Sequence, residues 1–384
     1  MPRTILNETS YIGAGSRAEL KGEILGRGFS KAFVITDRDL VKFGVAAQVT
    51  EVLESFGFPY EVFDDVKANP TVSGVKTAIE TFKASRADVL VAVGGGSVID
   101  TAKAVGIAVA NPEFSDIVSL EGVAPTKARS IPIIALPTTA GTAAEVTINY
   151  VIIDEAHQKK MVCVDPKDIP VVAIVDAELM YSMPKGLTAS TGMDALTHAI
   201  EGYITPGAWA MSDMFEIEAI RLIKKHLAAA VKNGKDREAR EGMAFAQYVA
   251  GMGFSNVGLG IVHSMAHPLG AVYDTPHGVA NAIILPTVMA YNVESPSKPK
   301  FRAIAEAMGV NTAKMNDDEA AQAAVEAVRA LSKEVGIPVK LSEVGVREED
   351  LEKLANDAFN DVCTGGNPRK TSVEDILKLY RSLM

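Results

Sequence analysis

The chain has 384 residues, 48% of them apolar, and a formal net charge of −10. That length exceeds one ordinary core and predicts two domains, with one large α/β domain as the alternative, and the negative balance argues against a nucleic-acid or anionic-membrane partner. The two cysteines, Cys163 and Cys363, exclude a disulfide framework and a Cys-rich zinc site and fit a reducing cytoplasm.

The opening MPRTILNETSYIGAG lacks the apolar core of a secretory signal. No apolar run approaches the roughly 18 residues of a membrane span, so no membrane partner is expected. The first ~180 residues alternate short β-branched runs with helical patterns, the signature of a parallel α/β sheet. Strands are expected at 31–37 (KAFVITD), 59–66, 87–97 (ADVLVAVGGGS), 131–142 (IPIIALPTTAGT) and 171–179. Helices are expected at 40–56, 72–85 and 98–110. After Pro184 the strand-like runs fade. Residues 187–203, 212–230, 236–257, 299–309, 317–335, 348–359 and 372–383 carry helical spacing, and Thr371-Ser372-Val373-Glu374 reads as a capping box. The change of texture near 180–186 sets an α/β domain over 1–183 and an all-helical domain over 184–384.

In the helical half, TGMDALTHAIEGY puts Asp194 and His198 four residues apart, on one helix face. Alone, this is an ordinary Asp–His pair. However, HSMAHPLGAVYDTPHG holds His263, His267 and His277, three of the chain's six histidines. Pro268 predicts a kink or an end to any helix through His267, and His277 falls in a loop or at a helix start. Five candidates are thus available for one divalent ion. Three imidazoles with a carboxylate suit Fe(II) or Zn(II) and suit Ca(II) or Mg(II) poorly. Two such pairs on separate helices would converge between them. The HExxH arrangement of metalloproteases is absent.

In the α/β half, DVLVAVGGGSVID runs from strand through glycines into helix. Gly94, Gly95 and Gly96 let main-chain N–H groups approach an anion, with Ser97 as a further donor. The pattern is not GxGxxG, since Ile99 stands where the last glycine would be, and a tight turn is the plainer reading. Its place past a parallel strand is where open α/β sheets bind ligands. Asp37 ends another strand, where a carboxylate can accept from an adenosine ribose and repel a 2′-phosphate, favouring NAD over NADP; a helix N-cap is the competing reading. LPTTAGTAAEVT offers Thr138, Thr139 and Thr142 to phosphates or ribose, or is only a Thr-rich turn.

Together, GGGSVID at 94–100, PTTAGTAAE at 137–145, GMDALTHAIE at 192–201 and the histidines at 263, 267 and 277 resemble the iron-dependent alcohol dehydrogenases over essentially the whole chain. The resemblance implies a Rossmann-like, nucleotide-binding α/β domain and an all-helical metal domain of the dehydroquinate-synthase-like kind, with the active site between them. It assigns the metal to Asp194, His198, His263 and His277, leaving His267 close by as packing or as a proton relay. It carries NAD contacts to Asp37, Asn69, Gly95, Gly96, Ser97, Thr138, Thr139, Thr142, Lys160 and Leu179, and sets Asn149 and Cys363 near the substrate or nicotinamide. A homodimer is implied as well. The stretches EGYIT, GMGFSNVGLG and DVCTGGNPR are most similar to members that interconvert lactaldehyde and 1,2-propanediol, whereas Thr287 stands where relatives often have histidine. The expected reaction is hydride exchange between NAD(H) and a short-chain alcohol or aldehyde, with the metal as Lewis acid. A 1,3-propanediol or other short-chain alcohol is the alternative substrate within the family. A dehydroquinate-synthase-like lyase would need basic residues for its anionic substrate, and 192–204 and 255–280 contain no Lys or Arg. A non-enzymatic nucleotide or metal sensor is the remaining alternative.

Overall fold

The computed structural model describes residues 1–157 and 159–384. The chain divides into two compact units, Arg3–Ser182 and Met183–Met384, the latter with Met1–Pro2.

In the first unit the strands are β1 (Thr9–Ile12), β2 (Ala32–Ile35), β3 (Tyr60–Phe63), β4 (Val89–Gly94), β5 (Ile133–Pro137), β6 (Asn149–Asp154), β7 (Lys159–Val164) and β8 (Val172–Val175). Six of them form a parallel sheet in the order β1-β8-β5-β4-β2-β3. The expected strands are all present but shorter, because glycines, prolines and polar residues at their ends leave the ladder. β1 and the antiparallel hairpin β6–β7 were not anticipated. Unlike β2, β4, β5 and β8, which are buried throughout, β1 and β6 alternate more and less exposed residues. Along β2, β4 and β5 successive side chains enter opposite cores. Phe33, Ile35, Leu90, Ala92, Ile133 and Ala135 pack on one face, and Ala32, Val34, Val89, Val91, Ile134 and Leu136 on the other. The helices are α1 (Leu20–Arg27), α2 (Arg38–Lys42), α3 (Ala47–Glu54), α4 (Val72–Ser85) and α5 (Gly96–Ala110). The single helix expected over 40–56 is thus two, broken at Gly44, whose φ of 73° lies in the left-handed region. β2 lies between β3 and β4, so the chain reverses its direction of travel across the sheet there. The carboxyl ends of β2 and β4 therefore form a topological switch point.

The second unit is helical: α6 (Lys185–Ile204), α7 (Ala210–Lys232), α8 (Arg237–Phe254), α9 (Ile261–Tyr273), α10 (His277–Asn292), α11 (Lys300–Ala307), α12 (Asp317–Glu334), α13 (Leu351–Phe359) and α14 (Val373–Ser382). Two local expectations are refined. Of the kink or end expected at Pro268, the end does not occur, since α9 runs on through it to Tyr273. Proline removes only one main-chain donor, and the apolar stripe of this helix, buried from Ile261 to Gly270, outweighs that loss. The capping box of α14 sits one residue later than expected. Ser372 caps it with Asp375, while the Thr371 hydroxyl donates to Arg369 O at 2.8 Å. No helix among the described residues is long and apolar enough to cross a membrane.

Candidate metal centre and nucleotide loop

α6, α9 and α10 carry the metal candidates. Asp194 and His198 lie on one face of α6, as the four-residue spacing requires, and are 2% and 5% exposed. His263 comes from the first turn of α9, and His277 is the first residue of α10. His198 Nε2 and His263 Nε2 are 3.0 Å apart. His277 Nε2 stands 3.8 Å from Asp194 Oδ1, and ligand atoms of Asp194, His263 and His277 all lie within 4.8 Å of one another. Two imidazole lone pairs cannot face each other at 3.0 Å without a proton or a cation between them. A buried carboxylate beside three imidazoles supplies both the charge and the borderline donors that a divalent transition metal prefers. The residues fit such an ion.

The close approach of α10 to α6 depends on Gly278. A Cβ there would lie 2.5 Å from Ser190 O and 3.3 Å from Asp194 Cβ. Phe254 of α8 stacks on His198, with centroids 4.2 Å apart, and holds its ring in one plane.

Sequence reasoning missed three residues that organise this cluster. Glu201 accepts from His263 Nδ1 at 2.6 Å and from the Val262 N–H at 2.7 Å, so it fixes the tautomer that leaves Nε2 facing the cluster. Its position had a signal: 194, 198 and 201 share one helical face. Asn281 donates from Nδ2 to Asp194 Oδ1 at 2.7 Å and lies 3.2 and 3.1 Å from His263 Nε2 and His277 Nε2. It is one turn beyond His277. Asp361 pairs with His267 Nδ1 at 2.8 Å, and no spacing announced this partner, 94 residues away. Burial opposes the Asp361 charge, but His267 and the Cys363 N–H outweigh it and hold the carboxyl down at about 2. His267 also stacks on His277, with centroids 5.4 Å apart. Burial pushes the Cys363 thiol well above its ordinary range, as do the negative charges of Asp361 and Glu201.

Part of the expected nucleotide set lies at the switch point of the other unit: Asp37 follows β2, and Gly95 links Gly94 at the end of β4 to Gly96 and Ser97 at the start of α5. The glycines are needed for packing. A Cβ on Gly95 would meet Thr139 Oγ1 at 3.1 Å, and one on Gly96 would meet Thr142 Cγ2 at 2.8 Å. The two loops thus pack directly together. Thr138 is buried, its N–H donating to Gly94 O at 3.1 Å. Asp37 caps α2 by accepting from the Leu40 N–H at 2.8 Å, so one carboxyl oxygen serves the helix. The Ser97 hydroxyl donates to Ala68 O, beside Asn69, rather than pointing freely at an anion site. Leu179 is 1% exposed within the apolar core, so any nucleotide contact there would be made by its main chain. Lys160 and Asn149 lie on the β6–β7 hairpin, and Asn149 O accepts from buried Lys103 at 2.8 Å.

Comparison with known proteins agrees with both halves. Residues 7–177 match the family "Iron-containing alcohol dehydrogenase", and residues 188–384 match "Fe-containing alcohol dehydrogenase family, C-terminal". The chain is 56% identical over 380 residues to lactaldehyde reductase of Escherichia coli (strain K12), covering 99% of each chain. It is 41% identical over 384 residues to the NAD-dependent methanol dehydrogenase of Bacillus methanolicus, covering 100% of each. The crystal structure of a 1,3-propanediol oxidoreductase superimposes over 100% of both chains with a TM-score of 0.97 at 38% identity. A sulfoacetaldehyde reductase from Bifidobacterium kashiwanohense, solved in complex with NAD+, gives 0.87 at 29% identity, over 100% of this chain and 98% of that one. With two family matches that together span nearly its whole length, the chain is a member of the iron-containing alcohol dehydrogenase family and an oxidoreductase.

Proposed function

We propose that this enzyme interconverts lactaldehyde and 1,2-propanediol with NAD(H), using Fe(II) held by Asp194, His198, His263 and His277, with Zn(II) as the alternative occupant. The observation that carries the reading is the convergence of those four side chains, from three helices, in a cluster whose Asp194, His198 and His263 are buried and whose His277 is half-buried. The substrate assignment rests on the full-length likeness to lactaldehyde reductase. When bound, the metal supplies Lewis acidity to the substrate oxygen. Glu201 orients His263, and Asn281 orients Asp194. His267 shares its Nδ1 proton with Asp361, which leaves Nε2 to exchange a proton with the reacting hydroxyl. Asp37, Asn69, Gly95, Gly96, Ser97, Thr138, Thr139, Thr142 and Lys160 would hold NAD, with Leu179 contributing main chain. Asn149 and Cys363 would border the substrate or nicotinamide. A cytoplasmic location accords with the free thiols of Cys163 and Cys363; a homodimer rests on the family likeness.

The test is anaerobic Fe(II)-loaded protein with NADH and a panel of short aldehydes, followed by NADH absorbance, beside a His267→Ala variant. Lactaldehyde should be reduced with the highest kcat/KM in the panel. The variant should keep its metal and lose about 10²–10⁴-fold in alcohol oxidation near neutral pH, with partial rescue at higher pH. Preference for a different aldehyde would overturn the substrate assignment. Wild-type rates in the variant across the pH range would remove the relay.

A further inference from the structure

His267 belongs to a second cluster of donors. Asp361 N-caps the short 3-10 turn Val362–Gly366 by accepting from the Cys363 N–H at 2.8 Å. That turn brings the Cys363 side chain back toward the carboxylate. One ligand atom each from His267, Asp361 and Cys363 lies within 4.8 Å of the other two. Hydroxyls brace the group: Thr364 Oγ1 donates to Ala358 O at 2.7 Å and lies 2.8 Å from Ser264 Oγ, from which it can accept. His267 is 6% exposed, and its partner Asp361 is nearly as enclosed. The three donors are distinct from the four of the first cluster, and they differ in kind, since only this one contains sulfur.

We propose that His267, Asp361 and Cys363 form a second cation site, selective for thiophilic divalent ions such as Zn(II), whose occupation stops turnover. Imidazole, carboxylate and thiolate are the donors zinc takes, at about 2.0–2.3 Å, with water free to complete a tetrahedron. Such bonds set N and O ligands about 3.3 Å apart. The His267–Asp361 pair, at 2.8 Å, needs to open by only about half an ångström, within reach of side-chain rotation. On binding, His267 turns its Nδ1 lone pair to the ion as its single ring proton moves from Nδ1 to Nε2, and the Cys363 thiol proton goes to solvent. The inhibitory part rests on the proton-exchange role given to His267 above; the binding part does not.

Cobalt(II) is the probe, because thiolate ligation gives a sulfur-to-metal charge-transfer absorption in the near ultraviolet and imidazole or carboxylate ligation does not. The full chain, stripped of metal, should take up two equivalents of Co(II), the second bringing that band. Cys363→Ser should keep the first equivalent and lose the band, and Asp361→Asn should weaken the second equivalent at least tenfold. Cys163, 1% exposed in the other unit, is the internal control, and Cys163→Ser should retain the band. Uptake of a single equivalent, or a band that survives in Cys363→Ser, overturns the site. Enzyme loaded with Fe(II) and then exposed to Zn(II) should lose turnover while its iron content stays constant. Full turnover in zinc-saturated enzyme that shows the second equivalent overturns the inhibitory part alone.

Discussion

Glu201 offers the sharpest test of how the metal cluster is built. It is 2% exposed and joins two helices through two hydrogen bonds, to His263 Nδ1 at 2.6 Å and to the Val262 N–H at 2.7 Å. In Glu201→Gln only one amide oxygen remains to accept, and the –NH2 group must face the other donor. When His263 Nε2 ligates a cation, its Nδ1–H becomes more acidic, and the bond to a carboxylate strengthens. Part of the bond's worth, about 1.5–3 kcal/mol for a charge-assisted hydrogen bond, is therefore realised only in the metal-bound state. Removing such outer partners typically costs 10–100-fold in metal affinity, or about 1.4–2.8 kcal/mol at 1.4 kcal/mol per decade. The predicted outcome for Glu201→Gln is a roughly 10-fold weaker Kd, measured by competition of Co(II) or Zn(II) against a chromophoric chelator. Glu201→Ala, which loses both acceptors, should approach 100-fold. Thermal melting in excess chelator separates this from general damage, since the Val262 bond stabilises the start of α9 with or without metal. A Kd within twofold of the wild type in Glu201→Gln would refute the argument that the carboxylate sets the His263 tautomer.

Gly278→Ala should disrupt the same cluster from the main-chain side. Its Cβ would sit 2.5 Å from Ser190 O, so α10 must retreat by about an ångström to reach ordinary contact; metal content after dialysis should fall, and full retention would show that the helices are free to shift. Asp37→Gly should raise kcat/KM for NADP relative to NAD. Glycine is a tolerable N-cap, costing only a few tenths of a kcal/mol, so a changed ratio with an unchanged melting temperature would report the lost charge, and an unchanged ratio would show that Asp37 does not face the ribose. Glu216 of α7 is fully buried between Gly202 and Gly253, and neither carboxyl oxygen has a donor among the described residues. Burial, then the negative charge of Asp213, raises its carboxyl well above the usual range. Its folded pKa exceeds its unfolded value near 4.3, so its contribution is whole below that pH and is eroded as pH rises toward the folded value. Glu216→Gln mimics the neutral acid, and its melting temperature relative to wild type should climb between about pH 4.5 and pH 8; a difference that stays flat across that range would rule out titration of Glu216.

What the sequence determined by itself is what short-range periodicity encodes. β2, β4 and β5 are covered on both faces and read as unbroken apolar runs, and α4 emerged over the residues its spacing marks. Asp194 and His198, and likewise His263 and His267, were paired because 3.6 residues per turn brings positions four apart onto one face. The tertiary structure decided everything that depends on a distant partner. Glu201 meets His263 across 62 residues, Asn281 meets Asp194 across 87 and Asp361 meets His267 across 94, and no local pattern specifies such encounters. The continuation of α9 through Pro268 is of the same kind. Local propensity argues for a break, and burial along the helix, available only once its neighbours are in place, overrides it. Asp37 shows the converse: its sequence position admitted both a ribose contact and a helix cap, and the folded chain spends one oxygen on the cap because the first N–H groups of α2 have no acceptor within the helix.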